Sequence, residues 1–361
     1  MNKNLFIGLM SGTSLDGVDI ALTEISNDTI SCHAFKTIPY SATLKDQLHA
    51  LNLNTEVTLR TLAQLQTQLG LLYAEIINDF LNVQAIPHKD IQAIGSHGQT
   101  IFHDPSLSMS IQIGHPAFIA KHAGIQTVAD FRIDDMANGG QGAPLAPAFH
   151  KTLFQKHNER LAIVNLGGIA NVTLLSENGE IHGADTGPAN GLMDEICQAK
   201  LNLAYDANGK IAQSCEPDEM LLKQMLSDPY FEKPFPKSTG RDYFNLKWLN
   251  QFATEHLSTE VLISTLNQLT VETVANAIKD FKPEKVILCG GGADNRTLQN
   301  RLNKSLGIEV VSSSNYSANP HAIEAMMISW LAHQRLNKLP IELQSITGAS
   351  EASILGGIWA P

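Results

Sequence analysis

The sequence predicts an α/β fold built in two halves, and three observations carry that reading. Apolar, β-branched runs alternate with segments of helical period. Several of the apolar runs end in a short glycine-rich turn. The first strand–turn–strand also recurs near the middle of the chain, where Leu5, Ile7 and Gly12 align with Leu161, Ile163 and Gly168 at one constant offset. Two similar halves, each opening on a glycine turn, predict two domains facing one another across a cleft. We place the first domain at 1–130 and the second at 131–361, with the C-terminal end packing back on the first.

Along the chain, residues 5–25 read as strand, turn, strand around "GLMSGTSLDGVD". Residues 58–82 repeat Leu59, Leu62, Leu65, Leu69 and Leu72 at steps of three and four, the mark of an amphipathic helix. "IQAIGSHGQT" (91–100) and "QTVADFR" (126–132) read as buried strands running into polar turns. Glycine and proline crowd in "MANGGQGAPLAP" (136–147), which predicts a domain crossing or a mobile loop. "LAIVNLGGIANVTLL" (161–175) opens the second half as strand, turn, strand. A helix at 269–281, a third glycine junction in "KVILCGGGADN" (285–295) and a last helix at 321–336 complete the alternation.

Composition narrows the function. The chain has 361 residues, 43% of them hydrophobic, enough for a substantial core. Its net charge is −11 with no basic block, which speaks against nucleic acid as a partner. No uncharged apolar stretch approaches the roughly 18 residues that span a bilayer. The N-terminus enters a Gly-Ser-Thr turn rather than a cleavage-site pattern, so we expect no signal peptide. Cys32, Cys197, Cys215 and Cys289 have no C-x-x-C spacing. That speaks against a zinc site or disulfide scaffold and fits a reducing, cytoplasmic setting.

The turns bear on nucleotide binding. Glycine lets backbone N–H groups approach a phosphate, and Ser11, Thr13 and Ser14 add hydroxyls. Neither G-x-x-x-x-G-K-[ST] nor a strand-to-helix G-x-G-x-x-G is present. What remains is phosphate held on hairpin tips, or plain hairpins whose glycines only supply positive φ. In "GADTGPANGLMDE" (183–195), Asp185 precedes Thr-Gly-Pro, a tight turn that would present its carboxylate. The same Asp could instead cap a helix starting near Asn190, and the residues alone leave both readings open.

Six motifs occur in order: "IGLMSGTSLDGVDIAL", "GSHGQT", "DFR", "GGQGAPLAP", "NLGGIAN" and "DTGPAN". Together they closely resemble the anhydro-N-acetylmuramic acid kinases, within the sugar kinase, Hsp70 and actin superfamily. The similarity runs from residue 5 to "ILGGIW". The resemblance implies a two-lobed actin/hexokinase-like, ribonuclease H-like fold with ATP and sugar in a central cleft. Gly12, Thr13, Ser14, Leu15, Asp16, Gly17, Val18 and Asp19 then match the ATP phosphate loop. Asn165, Gly167 and Gly168 match a second cradle, and Gly290, Gly291 and Gly292 lie near adenosine. The superfamily's first turn usually carries Asp-x-Gly-Thr, whereas here Met10 stands at the Asp position and the second turn has Asn165. Some other carboxylate, Asp16 or Asp185, must then serve magnesium or the nucleophile, and the ligands of Mg²⁺ stay unassigned.

The resemblance further implies that Asp185 is the catalytic base. Water activated by it would open the anhydro bridge of 1,6-anhydro-N-acetylmuramic acid while O6 takes the γ-phosphoryl group of ATP. The products would be N-acetylmuramic acid 6-phosphate and ADP, in peptidoglycan sugar recycling. An anionic substrate needs a local cation, and Arg132 in "DFR" is the candidate by motif for the lactyl carboxylate; the same residue could instead form a structural ion pair. His97 and Gln99, at the end of a buried strand where ligands gather, and Glu324, in the first turn of the last helix, are expected sugar contacts, with a satisfied core histidine and a helix-start carboxylate as the other readings; a homodimer is implied. Two other classes compete: an ATP-driven chaperone or filament protein on the same fold, and a hydrolase using paired carboxylates. The first lacks a separate peptide-binding domain, and the second has no use for three glycine turns.

Overall fold

The computed structural model describes residues 4–12, 15–26, 29–53, 56–155 and 159–361, and its chain forms two compact units. The first comprises Met1–Phe149 and Ser317–Pro361, the second His150–Tyr316.

The first unit opens with β1 (Leu5–Ser11), β2 (Gly17–Ile25) and β3 (Ile30–Pro39), paired antiparallel in sequence. Helices α1 (Ala42–Leu53) and α2 (Leu59–Val83) follow. Thr58 caps α2 through the Thr61 N–H, and the helix buries Leu65, Leu69, Tyr73, Ile77 and Phe80 along one stripe. Then come β4 (Ile91–Asp104), β5 (Met109–Ile113), α3 (Pro116–Ala123), β6 (Thr127–Ala129), α4 (Phe131–Ala137) and α5 (Ala146–Phe154). Strands β1, β4 and β6 run parallel. All seven residues of β1 are buried, which is why its sequence is apolar without alternation.

The second unit repeats the plan. Strands β7 (Leu161–Leu166), β8 (Ile169–Leu175) and β9 (Ile181–Pro188) form an antiparallel meander. Helices α6 (Asn190–Ile196), α7 (Lys210–Gln213), α8 (Glu219–Leu226), α9 (Leu246–Leu249) and α10 (Thr259–Ile278) follow. Strand β10 (Lys285–Cys289), α11 (Arg296–Leu306) and β11 (Glu309–Ser312) finish the unit. Strand β10 lies parallel to β7, and β11 parallel to β10. Helix α10 is buried nearly all round, so its apolar residues do not keep to one face.

The chain then returns to the first unit with α12 (Ile323–Leu336), α13 (Gln344–Thr347) and β12 (Gly357–Trp359), the last pairing with β6. A Cβ at Gly8 would meet the Ala325 carbonyl, and one at Gly95 the Ile328 carbonyl. Glycine in β1 and β4 therefore lets α12 lie directly on the sheet.

Among the described residues the sheet orders are β12-β6-β4-β1-β2-β3, with β5 on β4, and β11-β10-β7-β8-β9. In each, a three-stranded meander is extended by parallel strands beside its first member. This is the expected α/β, ribonuclease H-like arrangement, present in both units. The expected boundary at 130/131 differs from the observed division at 149/150, which falls inside α5, and residues 317–361 belong to the first unit. The physical reason is local. Asp135 of α4 fixes the "GGQG" segment to the first unit, because its Oδ2 accepts from the Gly142 N–H at 2.7 Å and its Oδ1 from the Thr347 hydroxyl at 2.9 Å. No described helix is long and apolar enough to cross a membrane, and among the described residues none of the four cysteines is in a disulfide.

Candidate functional site

In the first unit the carboxyl ends of the parallel strands β1, β4 and β6 bring Ser11, His97, Gln99 and the start of α4, Asp130 to Arg132, to one sheet edge, so that "DFR" opens a helix rather than the expected polar turn. Such edges collect ligands in α/β sheets. Gln99 is fully buried. Its Oε1 accepts from the Ser11 hydroxyl at 2.5 Å, and its Nε2 donates to the Gly12 and Thr100 carbonyls at 3.2 and 3.3 Å. Gln99 thus braces the base of the first hairpin. Ser11 also bonds Tyr40 Oη at 2.7 Å and the Gly17 carbonyl at 3.1 Å, closing the hairpin from the other side.

His97 Nε2 lies 2.8 Å from Arg132 Nε, and its Nδ1 lies 2.8 Å from the Gly98 carbonyl. A guanidinium only donates, so Nε2 accepts and the imidazole proton sits on Nδ1. Burial, with Arg132 beside it, pulls the imidazole down to about 3, so His97 is neutral. Arg132 also donates from Nη1 to the Gly142 carbonyl at 2.9 Å, which ties it to the braced glycine segment. Burial holds its guanidinium below the usual value, partly offset by Glu324 and Asp135. Glu324, in the first turn of α12, is raised by burial and by Asp19, while Arg132 partly offsets both. Asp19 is raised by burial as well, against a 2.6 Å hydrogen bond from the Thr37 hydroxyl.

Elsewhere on the first hairpin, Leu15 is buried at φ 57° and Val18 is buried. Gly17 packs on the Ile38 carbonyl. Asp16 is exposed and pairs with Lys45 at 3.0 Å. Thr13 and Ser14 lie outside the described residues.

In the second unit, β7 and β10 run side by side, and both end in glycine turns at the same edge, with Asn165 opposite Cys289. The turn carbonyls are consumed internally. Leu166 O accepts from Asn190 Nδ2 at 2.8 Å, Gly167 O from the Asn190 N–H, and Gly168 O from the Ala189 and Gly191 N–H groups. A turn whose acceptors are spent inside the unit suits an anion. Gly290 needs glycine for its φ of 75° and for the Asn165 side chain beside it, and Gly292 is packed against Leu166 and Asn190. Gly167 and Gly291 are different. Neither has a positive φ, and a Cβ there would meet only single atoms at 3.6 and 3.8 Å. Among the described residues nothing requires glycine at either place.

Asp185 lies in β9 opposite Asn171, not in the expected tight turn. A bulge between Ala170 and Asn171 places Thr186 as an extra residue, so "TGP" continues the strand. Nor does Asp185 cap α6, whose N-cap residue is Ala189. Instead the carboxylate is clamped: Oδ2 accepts from Ser238 Oγ and from the Thr239 N–H, each at 2.9 Å. The Asp185 N–H donates to the Lys237 carbonyl, and its carbonyl accepts from Tyr230 Oη at 2.7 Å. Among the described residues Oδ1 makes no hydrogen bond. Burial raises the carboxyl, and the Thr239 and Ser238 donors partly counter it.

The family model for anhydro-N-acetylmuramic acid kinase matches residues 4–361. The chain belongs to the anhydro-N-acetylmuramic acid kinase family. A curated member from Hydrogenovibrio crunogenus is 52% identical over 99% of this chain and 99% of its own length. Members from Sulfurovum sp. (42%; 99% and 100%) and Xanthomonas axonopodis pv. citri (43%; 99% and 99%) carry the same name. A similar solved structure is the activator of 2-hydroxyisocaproyl-CoA dehydratase from Clostridium difficile with bound ADPNP. It has a TM-score of 0.49 and 11% identity, covering 92% of this chain and 96% of that one.

Within this kinase family chain, two groups of expected site residues gather, one in each unit. His97, Gln99, Arg132 and Glu324 collect in the first, and Asn165, the glycines and Asp185 in the second. Sequence reasoning missed the clamp on Asp185 and the role of Asn190. The signal for the clamp was the polar turn "PKSTGRD" (236–242), which has the turn composition of a loop and no regular period.

Proposed function

We propose that this kinase takes ATP and 1,6-anhydro-N-acetylmuramic acid, opens the anhydro ring with water and phosphorylates O6. Asp185 carries the reading. One of its oxygens is pinned by two donors and the other is left with a lone pair for the proton of water. As that proton moves to Asp185, the water oxygen bonds C1, the C1–O6 bond breaks and O6 takes the γ-phosphoryl group. ADP leaves with the electrons of the broken phosphoanhydride bond. The γ-phosphorus thus does what a general acid's proton does in ordinary glycoside hydrolysis.

Nucleotide phosphate at Gly167, with adenosine near Gly291, is supported by glycines that packing does not require. The first hairpin, Gly12–Asp19, is proposed as a further phosphate loop, with Gln99 as its brace. Arg132, aimed by His97, is proposed to take the lactyl carboxylate, and Glu324 to accept from sugar hydroxyls. Magnesium, when bound, supplies positive charge to the phosphate oxygens. No three His, Cys, Asp or Glu side chains gather among the described residues, which fits an ion held mainly by phosphate and water. Asp16 would be its carboxylate neighbour on the first hairpin. We further propose a cytoplasmic homodimer working in peptidoglycan sugar recycling.

Phosphorus NMR of the product tests this. A resonance coupled to the C6 protons, formed only with ATP and anhydro-sugar together, is expected. Inorganic phosphate as the sole phosphorus product beside ADP would refute O6 transfer.

A further inference from the structure

We propose that Arg241 contacts the nucleotide phosphates, held across the second glycine turn by Glu195. This rests on the reading that the Gly167–Gly168 turn takes phosphate. Arg241 Cδ and Cγ lie 3.1 and 3.7 Å from where a Cβ on Gly168 would sit, and its Nε lies 3.4 Å from the corresponding point on Gly191. Gly168 has no positive φ, so glycine serves there to let the arginine stem lie along the turn. Nη2 pairs with Glu195 Oε1 at 2.6 Å, and among the described residues no other donor of the guanidinium is engaged. An exposed ion pair of this kind contributes little to stability. A positioned guanidinium with unused donors beside an anion-binding turn is what phosphate recognition uses.

The backbone beneath it is anchored. The Gly240 carbonyl accepts from the Tyr243 and Phe244 N–H groups, and the Arg241 carbonyl accepts from Asn245 Nδ2 at 3.1 Å. Phe244 is buried in an aromatic cluster with Tyr230 and Trp248. The same segment carries Ser238 and Thr239, the clamp on Asp185. One short stretch thereby joins the proposed base to a cation for the phosphates, so nucleotide occupancy and base position become linked through residues 238–241.

Arg241→Met keeps the apolar stem over Gly168 and removes the donors. Calorimetry with a non-hydrolysable ATP analogue should show binding weakened by about 10- to 100-fold, the range of a charge-assisted hydrogen bond. Adenosine, which has no phosphate, should bind as to the unaltered enzyme. Equal loss for both ligands, or no loss for the analogue, overturns the proposal. Should the Met variant not fold, Arg241→Gln is read by the same ratio. Analogue binding that is lost in Gly167→Val and kept in Arg241→Met refutes the arginine alone. Analogue binding at full strength in both variants refutes the phosphate turn itself.

Discussion

A carboxylate that must collect a proton has to stay ionised in a partly buried place, and Asp185 shows two opposed effects at one group. Burial raises it, and the Thr239 and Ser238 donors, which favour the charged form, pull it back. As the proposed base it works only when ionised, so kcat/KM should rise with pH through its folded value. Ser238→Ala removes one lowering contribution, so the acid limb of the pH profile should move to higher pH. A limb that stays in place would mean that another group sets it. The raised folded value also favours folding at low pH, where Asp185 is protonated, and that contribution is lost as pH climbs through it. Asp185→Asn keeps the shape but cannot take the proton. Turnover should fall by about 10²–10⁴-fold, the usual worth of a general base, with nucleotide affinity by calorimetry unchanged. His97, held neutral near 3, should add no inflection to the same profile.

At the scale of elements, the glycine turns divide into those that packing demands and those it does not. Gly290 and Gly292 are fixed by neighbours, and Gly8 and Gly95 by α12, but a Cβ at Gly167 would make only an ordinary contact with the Ile169 carbonyl at 3.6 Å. Gly167→Val should therefore melt at nearly the temperature of the unaltered protein while the KM for ATP rises steeply, because a branched side chain fills the approach to the turn. A fall in melting temperature with ATP kinetics intact would reverse that assignment.

The elements also show what could be read beforehand. The strands of β1, β4 and β7, buried on both faces, and the leucine repeat of α2 write their burial into the sequence. Strand β3 does not: its residues are partly buried or exposed, so "ISCHAFKTIP" carries neither a solid apolar run nor clean alternation. The bulge in β9 hid behind Thr-Gly-Pro, which has turn chemistry but continues the ladder. The clamp on Asp185 comes from an irregular segment far along the chain, where no period exists to be read. Arg132 and His97 could be named from short motifs, but which nitrogen faces which donor is decided only by the fold.

For the whole molecule, the two units share one strand order but not one kind of continuity. The second is a single stretch, His150–Tyr316, with its own cores: one around Val164, Val172, Val274 and Leu288, another around Leu192, Tyr230, Phe244 and Trp248. The first depends on residues that arrive after the second is complete, above all α12 on the faces of β1 and β4. A chain ending at Tyr316 retains Trp248 and lacks Trp330 and Trp359. Trp248 is 4% exposed, and its Nε1 donates to Asp228 at 2.8 Å within the second unit. Its fluorescence in the truncated chain should keep the blue-shifted maximum of a buried indole, because every residue of its core is still present. The first unit, stripped of α12, exposes an apolar sheet face and should be digested rapidly by protease up to the start of the second unit. A red-shifted Trp248, or digestion that spares the first unit and removes the second, would show that the second unit's cores do not suffice to fold it.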